Sequence, residues 1–151
     1  MQSHRIDAYS TAPEAMKLLR AVEGYIHKSG LDPLLIELVK MRASQVNGCS
    51  YCLDMHSREL RRLGETEQRI YLLNAWRESP LYSARERAAL EWTDALTLIA
   101  TTHAPDDCYK AARAQFSERE LVDLTTLIGM INLWNRLAIG MRYQHLIAAA
   151  A

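Results

Sequence analysis

The sequence predicts an all-α protein, a single helical bundle of six or seven helices spanning residues 1–151. Apolar residues recur at the three- and four-residue spacing of helices, and the segments between them begin and end with helix-capping residues. No stretch alternates apolar and polar residues over the length of a strand. A chain of 151 residues is long enough to bury the core of one domain.

The first predicted helix opens at Thr11 and Pro13 and closes at Ser29-Gly30. The second opens at Asp32 and Pro33, an N-cap and first-turn pair, and runs to Asn47-Gly48. Glu37 lies on this second helix.

The third predicted helix begins at a pair of cysteines. It starts at Cys49 and Cys52, carries His56, and stops at Gly64, a residue type common just after helix ends. Further helices are predicted from Thr66 to near Trp76, from Ser83 with Glu86, from Pro105, and from Ser117 with Glu120.

The last predicted helix is apolar on nearly every face. The residues responsible are Leu124, Leu127, Ile128, Ile131, Leu133, Trp134, Leu137 and Ile139. Such a helix is expected at the centre of the core or in a subunit interface. The sequence therefore predicts a homo-oligomer.

Charge and patterning exclude several function classes. Lys plus Arg total 18 and Asp plus Glu total 18, so no net field favours nucleic acid or an anionic membrane surface. The apolar region 121–147 is interrupted by charged and amide side chains, which argues against a membrane span. Residues 1–5 are not followed by the apolar core of a signal peptide, so a cytoplasmic protein is expected.

The two cysteines of the CxxC segment are predicted to be redox-active. Cys49, Cys52 and His56 share one helix face, and His56 is one turn from Cys52. A helix N-terminus favours thiolate over thiol. Thiols in a reducing compartment are more often catalytic or metal-binding than structural. Cys108 stands apart and is expected to stay free.

Position on the helix assigns different roles to the two thiols. Cys52, beside His56, is the better candidate for the nucleophile that attacks a peroxide oxygen and becomes a sulfenic acid, which Cys49 would resolve as a disulfide. Glu37 on the preceding helix could accept a proton from His56, directly or through water, and orient its ring.

Two other interpretations of these residues remain open at this point. The two cysteines could be unreactive structural residues that pack at the start of a helix, since buried structural cysteines are common. A zinc ion could also be held by Cys49, Cys52, His56 and Glu37. Structural zinc sites, however, usually take a second pair of ligands from another segment of the chain, and the sequence offers no such pair.

The motif resembles that of a known family. Glu37, eleven residues, Cys49-Ser50-Tyr51-Cys52, three residues and His56 are similar to the signature of alkylhydroperoxidase D-like proteins of the carboxymuconolactone decarboxylase superfamily. The resemblance extends to residues 38–48, 65–69 and 132–136 and covers nearly the whole chain.

The resemblance implies an activity, partners and an assembly. It implies a helical bundle assembled as trimers or hexamers, with no metal and no cofactor. Cys52 would be peroxidatic, Cys49 resolving, and Glu37 and His56 a proton relay acting on hydrogen peroxide or organic hydroperoxides. A thiol protein or small thiol would reduce the disulfide. Tyr51 stands where alkylhydroperoxidase D itself has a second histidine, so a relay member is absent or replaced by a phenol.

Three functions compete with a peroxidase. A disulfide relay or redox sensor would exchange its CxxC disulfide with another protein. A carboxymuconolactone decarboxylase-like enzyme would share the fold, although that branch lacks the cysteine pair. A non-enzymatic assembly module would have thiols of ordinary reactivity.

Overall fold

The computed structural model describes residues 4–145 and 147, and every regular element in that part of the chain is helical. The ends of the predicted 1–151 domain, residues 1–3 and 148–151, lie outside the described residues, as does residue 146. The elements are α1 (Ala8–Thr11), α2 (Pro13–Ile26), α3 (Pro33–Asn47), α4 (Ser50–Arg62), α5 (Glu67–Leu72), a 3₁₀ turn (Leu73–Ala75), α6 (Ala84–Thr97), α7 (Ile99–Thr102), α8 (Asp106–Arg113) and α9 (Glu118–Met141).

The all-α prediction is confirmed, and the expected number of helices was too low. The seven longer helices occupy the predicted segments, and two four-residue helices, α1 and α7, are additional. Thr11 ends α1 rather than opening the next helix, because the side chain of Asp7 accepts a hydrogen bond from the Tyr9 amide and caps a separate turn. A single turn is too short to have a detectable apolar period.

Most of the predicted helix starts are capped as expected. Asp32 accepts from the Leu35 amide at 3.0 Å, and Thr66 accepts from Arg69 at 3.2 Å. Ser83 and Ser117 each form a complete capping box with the glutamate three residues later. These short-range signals therefore fix where the helices begin.

Helix α3 lies at the centre of the bundle, in contact with α4, α6 and α9. Its buried side chains include apolar residues that face several neighbours, such as Leu35, Leu38 and Val39, and also two charged residues, Glu37 and Lys40. Burying charged groups requires partners. The two charges mark the side of α3 where the candidate site lies.

Helix α9 is only partly enclosed by the chain. Leu124, Leu127, Ile128 and Ile131 are buried in the main core, whereas Leu133 and Ile139 are exposed. No helix in the described residues is long and apolar enough to cross a membrane.

The turn between α3 and α4 places the cysteines against the rest of the bundle. Gly48 closes α3 with φ of +69°, a left-handed conformation that costs a residue with a side chain ~1–2 kcal/mol. Its tight reversal takes the chain directly into Cys49, the N-cap of α4. The start of α4 thereby lies next to α3 and α9.

Candidate active site

Cys49 and Cys52 are in contact at the start of α4. Both are reduced and buried, each about 1% exposed, and their sulfur atoms are 2.7 Å apart. Cys49 is the N-cap residue, and its sulfur accepts from the Cys52 amide at 3.4 Å. The predicted position of the pair at a helix N-terminus is confirmed.

The two thiols have opposite pKa shifts. The pKa of Cys49 is lowered to about 7, because the Cys52 thiol donates to its sulfur and the backbone amides of Cys52 and Tyr51 add further hydrogen bonds that outweigh burial. The same contact raises the pKa of Cys52, with burial and the neighbouring negative charge adding to it. In the resting pair the thiolate is therefore on Cys49 and the proton on Cys52.

A buried amide network supports the sulfur atoms from the α9 side. Asn135 is fully buried, and its amide nitrogen donates to Ser44 at 3.0 Å while its oxygen accepts from Asn47 at 2.8 Å. Hydrogen bonds from Asn135 lower the pKa of both cysteines, and Ser44 lowers that of Cys52. Two other helices thus favour negative charge at the pair.

His56 and Glu37 form the contact that the sequence suggested. Nδ1 of His56 is 2.7 Å from Oε2 of Glu37, and both side chains are buried. Burial acts to raise the pKa of Glu37, but the hydrogen bond from His56 and the charges of His56 and Lys40 lower it overall. Nδ1 is therefore the donor to the Glu37 carboxylate, and Nε2 of the same ring is buried and has no hydrogen-bond partner among the described residues.

The Glu37 carboxylate belongs to a longer chain of buried charges. Its Oε1 lies 3.5 Å from Nζ of Lys40, which lies 2.9 Å from Oε2 of Glu23 on α2. Trp134 on α9 donates to the other oxygen of Glu23 at 2.9 Å. Each carboxylate thus has a partner, and Glu37 is held in place to orient His56.

A cavity of about 280 Å³ lies over Cys52 and His56. Cys52 and His56 line it, and Cys49 does not. Its other lining residues are Tyr9, Arg20, Glu23, Lys40, Tyr51, Met55, Ile131, Trp134, Ala138 and Tyr143. Of the two cysteines, Cys52 is therefore the one in the wall of the space where a substrate would bind.

A second cavity of about 500 Å³ lies behind His56 and is lined mostly by charged side chains. Lys40, Met55 and His56 line both cavities, and Glu37 lines only the second. The histidine thus separates a largely apolar space from a charged one, which is a suitable place for a proton-transfer group.

The structure brings together Cys49, Cys52, His56 and Glu37, as the sequence analysis expected, and places Cys108 away from them on α8.

Tyr51, which replaces the second histidine, lines the cavity with its ring edge-on to Tyr143 at 5.6 Å. Within the described residues no three His, Cys, Asp or Glu side chains are arranged to hold a metal ion, so zinc has no ligand set there.

Sequence reasoning missed Asn135, Ser44, Lys40 and Glu23. Asn135 gave a usable signal, because an amide among apolar residues on a buried helix must find partners. Lys40 lies one turn after Glu37, a spacing that suggested an ion pair. Glu23 gave no signal in the sequence, because its role in the site depends on how α2 packs against α9.

Comparison with known proteins identifies similar sequences and folds. The profile of the Carboxymuconolactone decarboxylase family matches residues 13–95. The uncharacterized protein YdfG of Bacillus subtilis is 45% identical over 139 residues, covering 92% of this chain and 95% of YdfG.

Two solved structures are also similar. A protein of unknown function from Agrobacterium tumefaciens, suggested to be the antioxidant defence protein AhpD, is 49% identical with a TM-score of 0.94, covering 97% of this chain and all of that one. An uncharacterized peroxidase-related protein from Silicibacter is 27% identical with a TM-score of 0.80, covering 91% of this chain and 73% of that one.

Proposed function

The chain belongs to the carboxymuconolactone decarboxylase family, and we propose that within it the protein is a thiol peroxidase that reduces hydroperoxides with Cys52 and Cys49. One observation carries the proposal: Cys52 and His56 line the same cavity, and the sulfur of Cys49 lies 2.7 Å from that of Cys52. A nucleophile, a base and a resolving thiol are the groups that this chemistry requires.

The first step is attack by Cys52 on the hydroperoxide. The reacting form is the pair with both thiols protonated, which is well populated near pH 7 because the pKa of Cys49 is about 7. Nε2 of His56 takes the Cys52 proton, and the thiolate forms a bond to the terminal peroxide oxygen while the O–O bond breaks. Cys52 is oxidised to a sulfenic acid, and the leaving alkoxide takes the proton from His56 to become an alcohol. Glu37 stabilises the imidazolium that forms between these transfers.

The second step is resolution by Cys49. Its thiolate attacks the Cys52 sulfur, a disulfide forms, and the departing hydroxide takes a proton from solvent to become water. The backbone amides of Tyr51 and Cys52 and the Asn135 side chain, which help to lower the Cys49 pKa in the reduced pair, still favour the ionised form of Cys49 after Cys52 is oxidised, so the resolving group needs no separate base. Two electrons from a thiol protein or small thiols then reduce the disulfide.

Access to the cavity, rather than the resting charge, assigns the attacking role to Cys52. Cys49 is the more acidic thiol, but it does not line the cavity. A thiolate that a peroxide cannot reach cannot attack it. The AhpD-like and peroxidase-related names of the two similar structures support peroxide as the oxidant.

A disulfide relay is the second candidate, favoured by the pKa pattern. An acidic N-terminal cysteine paired with a protonated C-terminal one suits exchange with a partner disulfide, with Cys49 attacking first. The position of Cys49 outside the cavity wall weighs against this order, because a partner disulfide that entered the cavity would meet Cys52 first.

The single cysteine variants test the proposal, each made with Cys108→Ser so that no third thiol reacts. In Cys49→Ser, Cys52 should consume one equivalent of peroxide and accumulate as a sulfenic acid, trapped by a dimedone probe and located by mass spectrometry. In Cys52→Ser, little adduct should form. Rapid trapping at Cys49 and none at Cys52 would reverse the roles. Disulfide exchange without peroxide consumption by the two-cysteine parent would instead support the relay.

A further inference from the structure

The wall of the cavity over Cys52 includes an arginine that forms no ion pair with the described residues. Lys40 in the cavity wall has two carboxylates within ion-pair distance. Arg20 also lines the cavity, and no Asp or Glu oxygen in residues 4–145 and 147 lies within 4.0 Å of its guanidinium. An unmatched guanidinium beside a binding cavity favours a ligand with a negative charge.

Arg20 and Cys52, which both line the cavity, differ in their exposure to solvent. It shares a face of α2 with Glu23, one turn nearer the start of the helix. Glu23 points into the protein, where Trp134 and Lys40 hold it, whereas Arg20 is exposed to solvent. Cys52 is buried. The positive charge is therefore at the entrance, and the nucleophile is at the bottom.

Much of the cavity wall is apolar. Met55, Ile131, Trp134 and Ala138 contribute hydrocarbon or ring surface, and the cavity volume is about 280 Å³. Hydrogen peroxide is about the size of a water molecule, which occupies ~30 Å³ in the liquid. The cavity volume approaches the ~300 Å³ at which sites for small organic ligands begin. The space therefore fits an organic hydroperoxide far better than hydrogen peroxide.

We infer that the preferred substrate is an organic hydroperoxide whose apolar body also carries a carboxylate, which Arg20 binds at the entrance while the peroxide group reaches Cys52. The inference rests on the proposed function and adds a substrate class to it. A guanidinium pairs with a carboxylate through two parallel hydrogen bonds. Glu23 does not repel such a ligand strongly, because Lys40 already balances its charge.

Paired substrates test the inference: the hydroperoxide of 4-isopropylbenzoic acid and its methyl ester, which differ in charge and have the same reacting group. The native protein should have the higher kcat/KM for the acid. Arg20→Met should lower the acid-to-ester ratio by about five-fold, mainly through KM, as expected for an exposed ion pair. Lys17→Met removes an exposed cation one turn earlier on α2, away from the cavity, and should keep the native ratio.

Binding of the corresponding alcohols separates this inference from the proposed function. The tertiary alcohol acid and its ester have no peroxide bond, so calorimetric titration reports recognition whether or not the protein is a peroxidase. Tighter binding of the acid that is lost in Arg20→Met and kept in Lys17→Met supports the anion site, even if no hydroperoxide is turned over. Equal binding of acid and ester, or equal losses in the two variants, overturns it.

Discussion

Two sulfur atoms 2.7 Å apart cannot both carry a negative charge at neutral pH, so the pair holds one proton between them. Which sulfur holds this proton depends on the number of hydrogen-bond donors that each sulfur receives. Cys49, as the N-cap of α4, receives backbone amides, the Asn135 amide and the Cys52 thiol. Cys52 has fewer donors and is the one that faces the cavity. The charge and the access to substrate are therefore on different cysteines.

The thiolate should titrate near pH 7 and belong to Cys49. Below that pH both thiols are protonated, and above it the absorbance of a thiolate at 240 nm should appear. Cys49→Ser should remove this transition. Cys52→Ser should move it to higher pH, because the donor that lowers the Cys49 pKa most is lost. A transition near pH 7 that persists in Cys49→Ser would show that the charge is on Cys52. Cys108→Ser is the parent protein for these variants, so that the third thiol, whose pKa is raised by burial, adds nothing to the absorbance.

Replacement of His56 should slow the reaction far more than it affects folding. His56→Gln removes the unpaired Nε2 that would take the Cys52 proton, and loss of a general base typically costs ~10²-fold or more in rate. The second-order rate of Cys52 oxidation in a stopped-flow assay measures this. His103→Asn, at an exposed histidine with φ of +54° where asparagine is well tolerated, is the control. Equal rates in native protein and His56→Gln would exclude His56 as the base.

At the scale of elements, the site depends on the reversal between α3 and α4. α3 holds Glu37 and Lys40, α4 holds both Cys52 and His56, and Gly48 sets the direction in which α4 leaves α3. The hydrogen bond between His56 and Glu37 bridges these two helices across that turn. A change in the turn should therefore affect both stability and the thiol pKa.

Gly48→Ala should destabilise the protein by ~1–2 kcal/mol, because a Cβ is disfavoured at φ of +69° even though no atom lies within 4 Å of its position. Gly24→Ala is the matched control, since Gly24 is inside α2, also with open space around it, and alanine there should stabilise by ~0.5–1 kcal/mol. Denaturant unfolding measures both. Changes of the same sign in the two variants would contradict the role given to the turn.

At the scale of the whole molecule, an apolar surface on α6, α7 and α9 is open to solvent within the described residues. Residues of α6, α7 and α9 form a shallow groove that includes Leu96, Ile99 and Leu133, and Ile99 is about half exposed. Exposed apolar grooves of this kind often mark subunit interfaces. The apolar last helix predicted a homo-oligomer, a trimer or hexamer by resemblance, and this groove is where we expect the contact.

Light scattering at micromolar concentration should therefore detect more than one chain per particle. Leu133→Glu places a charge in the groove and should shift the protein toward monomers, because a charge buried in an apolar interface has no partner there. Leu18→Glu introduces the same charge at an exposed leucine of α2 outside the groove and should keep the native mass. A monomeric native protein would reject the prediction.

The sequence by itself determined the longer helices and the position of the CxxC motif at a helix start. Capping residues, glycines and three-to-four-residue apolar spacing act within a few residues, so the seven longer helices and the position of Cys49 and Cys52 at a helix start were predictable. The single turns α1 and α7 were not, because four residues carry no period.

Only the tertiary structure decided which sulfur faces the cavity and which holds the charge. Both depend on residues distant in sequence: Asn135 from α9 reaches the cysteines, and Glu23 from α2 meets Lys40 and Trp134. The only distance that the sequence supplied was the spacing along one helix, which places His56 beside Cys52. It therefore pointed to Cys52 both as the cysteine that meets the substrate and as the one that holds the charge. Hydrogen bonds and burial act through space, and they divide the two properties between Cys49 and Cys52.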